Sequence, residues 1–232
     1  MYWLLDRHPS IYMARPVKPE PKFFLIDSLY AKGLEHYSRT WFAAVPDTAV
    51  AGEKSTNYLE SATAAERIAR DLPDVKLVFI LREPVSRAYS NYLWTKMNGL
   101  EAESFANALR LEAQRESELP EHLRFARPFS YFSRGLYAKM LQPYLDRFPR
   151  ERILVLRFED LVDTPHQLAD RLHDFLHVAA RPGDAKGLGV VNASDSSRDD
   201  IPDDVRRDLQ ARYREPNQRL AAAFGQEFAL WT

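Results

Sequence analysis

The chain contains no cysteine. Disulfides, cysteine nucleophiles and thiolate metal sites are thereby excluded, although a cysteine-free chain is tolerated in any redox compartment. Glycine is also scarce, with 8 in 232 residues. None of these is arranged as a Walker-type loop, so no visible segment offers the run of backbone N–H donors that such a loop presents to phosphate. Neither sign of charge dominates: 32 Lys and Arg stand against 33 Asp and Glu, for a net charge of -1. The global basic field that announces nucleic-acid binding is missing, so no nucleic-acid partner is expected and any anion site must be local. Long apolar runs are lacking too. No window approaches the roughly 20 residues of a membrane helix, and the opening residues show no basic segment followed by an apolar core, so a cytoplasmic location is expected.

What is present fits one globular domain over residues 1–232. The chain is 45% hydrophobic and 28% charged, and its length suffices to bury roughly 70% of the unfolded surface. Strand-like and helix-like segments alternate. Leu77 to Leu81 and Ile153 to Leu156 are short continuous apolar runs, the pattern of strands covered on both faces in a parallel sheet. Leu141, Leu145 and Phe148 recur at helical spacing, and Thr164-Pro165 reads as an N-cap and first-turn proline for a helix through Phe175. Helices after Pro202 and Pro216 are expected to close the domain. Residues 99–128 are polar and charged, fitting an amphipathic helix with its charges in solvent; Arg124, Arg127 and Tyr131 read as surface residues there. The alternation predicts an α/β fold with a parallel sheet flanked by helices.

Two strand ends carry the chemistry. Leu77–Leu81 stops abruptly at Arg82-Glu83-Pro84, and Pro84 suits the first turn of a following helix. Open α/β sheets bind ligands at the carboxyl ends of their strands. Arg82 at that mouth can present a planar fork to a phosphate, and Ser90, two turns into the helix, can add a hydroxyl. On spacing alone, Arg82 in a salt bridge with a neighbouring carboxylate and Ser90 as an ordinary helix residue is the favoured reading, since arginines at strand ends are common. A second strand-like lead, Thr48-Ala49-Val50-Ala51, ends in Gly52-Glu53-Lys54-Ser55. If the two segments are sheet neighbours joined by a crossover helix over Ala62–Asp71, a carboxylate and two cations converge.

These residues resemble the sulfotransferases that use 3′-phosphoadenosine-5′-phosphosulfate (PAPS), most closely the branch of heparan-sulfate sulfotransferases and their bacterial relatives. The resemblance runs over nearly the whole chain: His8-Pro9, Lys18-Pro19-Glu20-Pro21-Lys22-Phe23-Phe24, Gly52-Glu53-Lys54-Ser55, Leu81 through Ser90, Arg134-Gly135-Leu136-Tyr137, Arg157-Phe158-Glu159-Asp160-Leu161 and Trp231. It implies a P-loop-NTPase-like sulfotransferase fold. It also implies sulfuryl transfer from PAPS to an acceptor hydroxyl or amine, with 3′-phosphoadenosine-5′-phosphate (PAP) as product. Carried over by position, Arg82 and Ser90 become ligands of the 3′-phosphate, Glu53 the general base and Lys54 its catalytic neighbour. Lys18 and Lys22 become candidates to neutralise sulfonate oxygens or orient an acidic acceptor. Arg198 lies where the family places a basic loop over the cofactor, although Asp195, Asp199 and Asp200 oppose its charge.

The resembling family begins with a strand and a loop rich in Gly, Lys, Ser and Thr that wraps the 5′-phosphosulfate. Here Met1 to Pro9 reads as the interior of the helix that follows, so the sequence is expected to start just after that loop. The alternative reading is a non-catalytic 3′-phosphonucleotide-binding module. A P-loop kinase shares the architecture but needs a Walker loop and magnesium. No metal is expected, because the reaction needs none and the six histidines show no paired ligand spacing. Acceptors among glycans, lipids and small molecules stay open.

Overall fold

A computed structural model describes residues 1–47, 49–120, 126–181 and 201–231. In chain order these form α1 (Tyr2–Asp6), β1 (Ile11–Met13), α2 (Asp27–Tyr30), α3 (Gly33–Phe42), β2 (Val50–Gly52), α4 (Ala62–Asp71), β3 (Leu77–Leu81), α5 (Pro84–Met97) and α6 (Phe105–Glu118). They continue as α7 (Tyr137–Leu145), β4 (Ile153–Arg157), α8 (Asp160–Asp163), α9 (Pro165–Leu176) and α10 (Asp203–Phe224). The described residues divide into two compact units. One draws on Met1–Ile80 and Pro143–Val191, the other on Leu81–Gln142 and Asn192–Thr232. No described helix is long and apolar enough to cross a membrane.

In the first unit β1 and β2 pair in parallel, Ile11 against Val50, Tyr12 against Ala51 and Met13 against Gly52. β1 is three residues long, too short for any periodicity to announce it. A Cβ on Gly52 would lie 3.1 Å from Met13 Sδ, so glycine allows this close approach. β3 takes β4 as its ladder partner. The convergence expected if β2 and β3 were sheet neighbours therefore has no ladder behind it among the described residues. Leu77–Ile80 also stay half-buried, with only Leu81 enclosed, so β3 is not covered along both faces as its apolar run predicts. The core of this unit gathers Tyr2, Leu4, Leu5, Ile11 and Met13 with Leu156, Leu168, Ala169 and Leu172. α4 starts where its sequence says, with Ser61 Oγ accepting from Ala64 N at 3.0 Å. Thr164 precedes α9 as expected, but its side chain makes no cap hydrogen bond.

The second unit packs α5, α6 and α10 around Val85, Ala88, Tyr92, Phe105, Leu109, Tyr131, Leu209 and Tyr213. Here the sequence reading needs correction. Glu101 and Glu112, expected in solvent, are buried at 4% and 5% exposure. Glu101 takes a 2.6 Å ion pair from Arg115 and a 2.7 Å hydrogen bond from Tyr131. Glu112 accepts the main-chain N–H groups of Phe132 and Ser133 at 2.6 and 2.7 Å. Burial of a carboxylate is stable only with such partners, and these lie 14 to 30 residues away, invisible to a local pattern. Tyr131 is fully buried, not at the surface. Finally, Pro216 does not begin a new helix: α10 runs through it as one 22-residue element.

Candidate active site

The β1–β2 ladder ends by handing the chain to Glu53. Ala14 N donates to Gly52 O at 2.8 Å, closing the ladder one residue before the carboxylate. Around Glu53 stand α3, which contributes Tyr37, and the 3-10 turn Tyr58–Glu60, which contributes Tyr58. The Tyr37 hydroxyl donates to Glu53 Oε2 at 3.1 Å. Oε1 is enclosed and meets no hydrogen-bond donor among the described residues.

The residue as a whole is half-buried, but its carboxyl end is not exposed, and the carboxyl end decides the chemistry. Burial pushes the Glu53 carboxyl up to about 7, because a charge in an apolar enclosure loses its hydration. Hydrogen bonds from Tyr58, Tyr37 and Ser55 work against that rise, and the negative charge of Glu20 adds to it. A carboxylate titrating near neutrality is a far stronger base than an ordinary surface glutamate. Burial also pushes the Tyr37 and Tyr58 phenols well above their ordinary value, so both remain protonated donors.

Lys54 does not pair with its neighbour Glu53. Its Nζ contacts Glu20, whose carboxylate also accepts Thr56 N at 3.0 Å and Thr56 Oγ1 at 2.5 Å. Burial alone would raise Glu20, but the bonds from Lys54 and Thr56 outweigh it and hold the carboxyl below its ordinary value. Lys22 Nζ reaches the same carboxylate at 4.0 Å, and its main-chain N–H donates to Ser55 Oγ at 3.0 Å. Its backbone is left-handed at φ 47, uncommon for a side chain of this size. Glu53, Lys54 and Lys22 are thus brought together, with Glu20, Ser55, Tyr37 and Tyr58 as partners that the sequence reading did not place in the site. Ser55 lies in the Gly52-Glu53-Lys54-Ser55 segment already singled out, and Tyr58 three residues beyond it; Tyr37 has no spacing signal, since only the tertiary fold carries α3 to the β2 end. Lys18 is exposed.

Arg82 and Ser90 belong to the second unit. Arg82 directly follows β3 and is half-buried, and its main-chain carbonyl accepts from the Tyr137 hydroxyl at 2.8 Å. This ties the Arg134-Gly135-Leu136-Tyr137 segment to the arginine. Pro84 opens α5 as expected, and Glu83 caps it by accepting Val85 N at 2.8 Å and Ser86 N at 2.7 Å. Those N–H groups serve the protein's own carboxylate, so an anion at this strand end must be met by side chains, Arg82 and the half-buried Ser90. Arg198 lies outside the described residues. Among the described residues no group of three or more His, Asp or Glu is placed to hold a metal ion.

Comparison with known proteins matches residues 4–182 to the model of the Sulfotransferase family. The mouse heparan sulfate glucosamine 3-O-sulfotransferase 3A1 is 33% identical over 169 residues, covering 73% of this chain and 40% of the mouse protein. The mouse heparan sulfate glucosamine 3-O-sulfotransferase 6 is 30% identical over 246 residues, covering 97% of this chain and 67% of its own length. The chain thus spans less than half of the first relative. Among solved structures, a sulfotransferase from Alicyclobacillus acidocaldarius superposes with a TM-score of 0.72 at 28% identity, covering 95% of this chain and 87% of that one.

Proposed function

This chain belongs to the sulfotransferase family, and from that premise we propose that it transfers a sulfuryl group from PAPS to an acceptor hydroxyl or amine. One observation carries the reading: Glu53, at the carboxyl end of β2, is a buried carboxyl with a free oxygen and an affinity for protons tuned to neutrality. An alcohol is far too weakly acidic to ionise unaided, so its proton must leave as its oxygen closes on sulfur. The Glu53 carboxylate takes that proton. The nucleotide, when bound, supplies the activated sulfuryl group and departs as PAP.

Arg82 and Ser90 form the donor set for the 3′-phosphate. A guanidinium fork matches phosphate geometry, and a hydroxyl adds a further hydrogen bond. The names of the relatives specify 3-O-sulfation of heparan sulfate glucosamine, and this supports a glycan hydroxyl as the acceptor. Lys22 and Lys54 stand close enough to Glu53 in the chain fold to receive an anionic acceptor, although Lys54 must first exchange its contact with Glu20.

The test pairs binding with turnover. The chain is titrated calorimetrically with PAP and with the analogue lacking the 3′-phosphate, and sulfate transfer from labelled PAPS is assayed on a panel of glycan, lipid and small-molecule acceptors. Arg82→Ala should weaken PAP at least tenfold and leave the 3′-dephosphorylated analogue nearly unchanged, because a charge-assisted bond of about 1.5–3 kcal/mol is lost only for that phosphate. Glu53→Gln should abolish turnover with PAP affinity preserved. Binding without turnover on any acceptor would point instead to the non-catalytic phosphonucleotide module.

A further inference from the structure

We propose that Tyr37 and Tyr58 are positioning residues for proton transfer, with Tyr37 holding Glu53 through Oε2 and both phenols favouring the ionised carboxylate that takes the acceptor's proton. The inference rests on the reading of Glu53 as the general base. Both tyrosines are held by their surroundings.

Tyr37 is buried, and its hydroxyl donates to Oε2 at 3.1 Å. Its ring cannot swing away. Phe23 stacks on it at 4.6 Å between centroids, and Phe24 and Phe42 meet it edge-on at 5.5 and 5.3 Å. Tyr58 is fixed at both ends. Its carbonyl accepts from the Tyr144 hydroxyl at 2.6 Å, and its own hydroxyl oxygen accepts Phe24 N–H at 3.2 Å. With that oxygen occupied as an acceptor, the single phenolic proton is left to donate, and it acts on the Glu53 carboxylate. Both phenols stay protonated, so neither competes for the acceptor's proton.

A carboxyl group without such partners rotates about its last torsion, which is broad and two-fold, and offers either oxygen at random. A donor fixed on Oε2 limits that freedom and holds the carboxyl in one orientation. The other groups acting on this carboxyl are the Ser55 hydroxyl, which assists the ionised form, and Glu20, which opposes it; Lys54 turns to Glu20. Because hydrogen bonds to the ionised form favour it, their loss makes the carboxyl bind its proton more tightly.

The experiment is the pH dependence of kcat for the parent, Tyr37→Phe, Tyr58→Phe and Glu53→Gln, with the carboxyl of Glu53 followed by carbon-13 NMR in the same proteins. Phenylalanine keeps the ring packing and deletes only the hydroxyl. Tyr37→Phe should move the acidic limb of the profile up by about one pH unit, the size set by one lost hydrogen bond to a charged group. It should lower kcat at neutral pH at least several-fold and leave KM for PAPS unchanged. The NMR titration should move the same way, and it reads out whether or not a variant turns over. Tyr58→Phe gives an independent second reading. A limb and a titration that stay at parental positions would overturn the proposal while the base assignment survives through an inactive Glu53→Gln. Full turnover by Glu53→Gln would overturn both.

Discussion

Replacing Glu53 by glutamine should remove turnover and, at alkaline pH, make the protein more stable. The carboxyl is pushed by burial from its ordinary value of 4.5 up to about 7 in the folded chain. Below the unfolded value both states carry the proton, and its contribution is constant. Between the two values the folded state holds a proton that the unfolded state has released, so stability falls by about 1.4 kcal/mol for each pH unit. Across this gap the loss is on the order of 3 kcal/mol, complete once pH has risen through the folded value. A carboxamide keeps an oxygen for the Tyr37 hydroxyl and does not titrate. The stability of Glu53→Gln relative to the parent should therefore grow by about 3 kcal/mol between pH 4 and pH 8. For a chain of this length that is roughly 6–12 °C in Tm. Thermal melts of the two proteins across that range at fixed ionic strength provide the assay. Curves of Tm against pH that run parallel would refute the reasoning, since they would mean that Glu53 has the same proton affinity folded and unfolded. Such a trade between stability and function is expected where a site stores an unfavourable charge.

The other predictions concern stability. Glu112→Ala leaves the N–H groups of Phe132 and Ser133 without their carboxylate, and should cost about 2–5 kcal/mol in a denaturant titration; a change below about 0.5 kcal/mol would contradict the assignment. Gly135→Ala should also destabilise, by about 1–3 kcal/mol, because a Cβ there would lie 2.6 Å from the Tyr213 hydroxyl, itself bonded to Phe132 O at 2.8 Å. The ring carbons Cε1 and Cζ of Tyr213 would lie at 2.7 Å as well, so Tyr213→Phe, which keeps both, should leave most of that cost in the double variant, and full relief would argue against the ring clash. Ser61→Ala should lower stability by about 1 kcal/mol through loss of the α4 cap, checked by the denaturation midpoint at unchanged slope.

Elements with strong local signals were legible. Leu77–Leu81, the proline start of α5 and the span of α4 follow from apolar runs and cap chemistry, and each lies where expected. The strand before Glu53 runs over Val50–Gly52, one residue beyond the end of its apolar lead, because pairing with Ile11–Met13 sets its register. Residues 99–128 misled for a related reason. Glu101 and Glu112 look like solvent-facing charges until Arg115, Tyr131 and the Phe132–Ser133 backbone arrive to satisfy them. Pro216 suggested a break, yet α10 continues through it, since neighbours that bury Tyr213, Asn217 and Leu220 hold both sides in one axis.

For the site, the choice of Glu53, Lys54, Arg82 and Ser90 as candidates came from residue identities, their order and the family resemblance these carry, because motif chemistry is local: a charged or hydroxyl group at a strand end or in the helix after it is written in a few adjacent positions. What those groups can do was decided elsewhere. The proton affinity of Glu53 comes from enclosure, and the choice of Oε2 as its anchored oxygen comes from Tyr37, sixteen residues back on another helix. Lys54 was assigned to Glu20 rather than Glu53 by the same folding of residues 15–22 against 53–56. Hydration loss and hydrogen-bond partnership depend on which distant segments meet, and a linear pattern carries no record of that meeting.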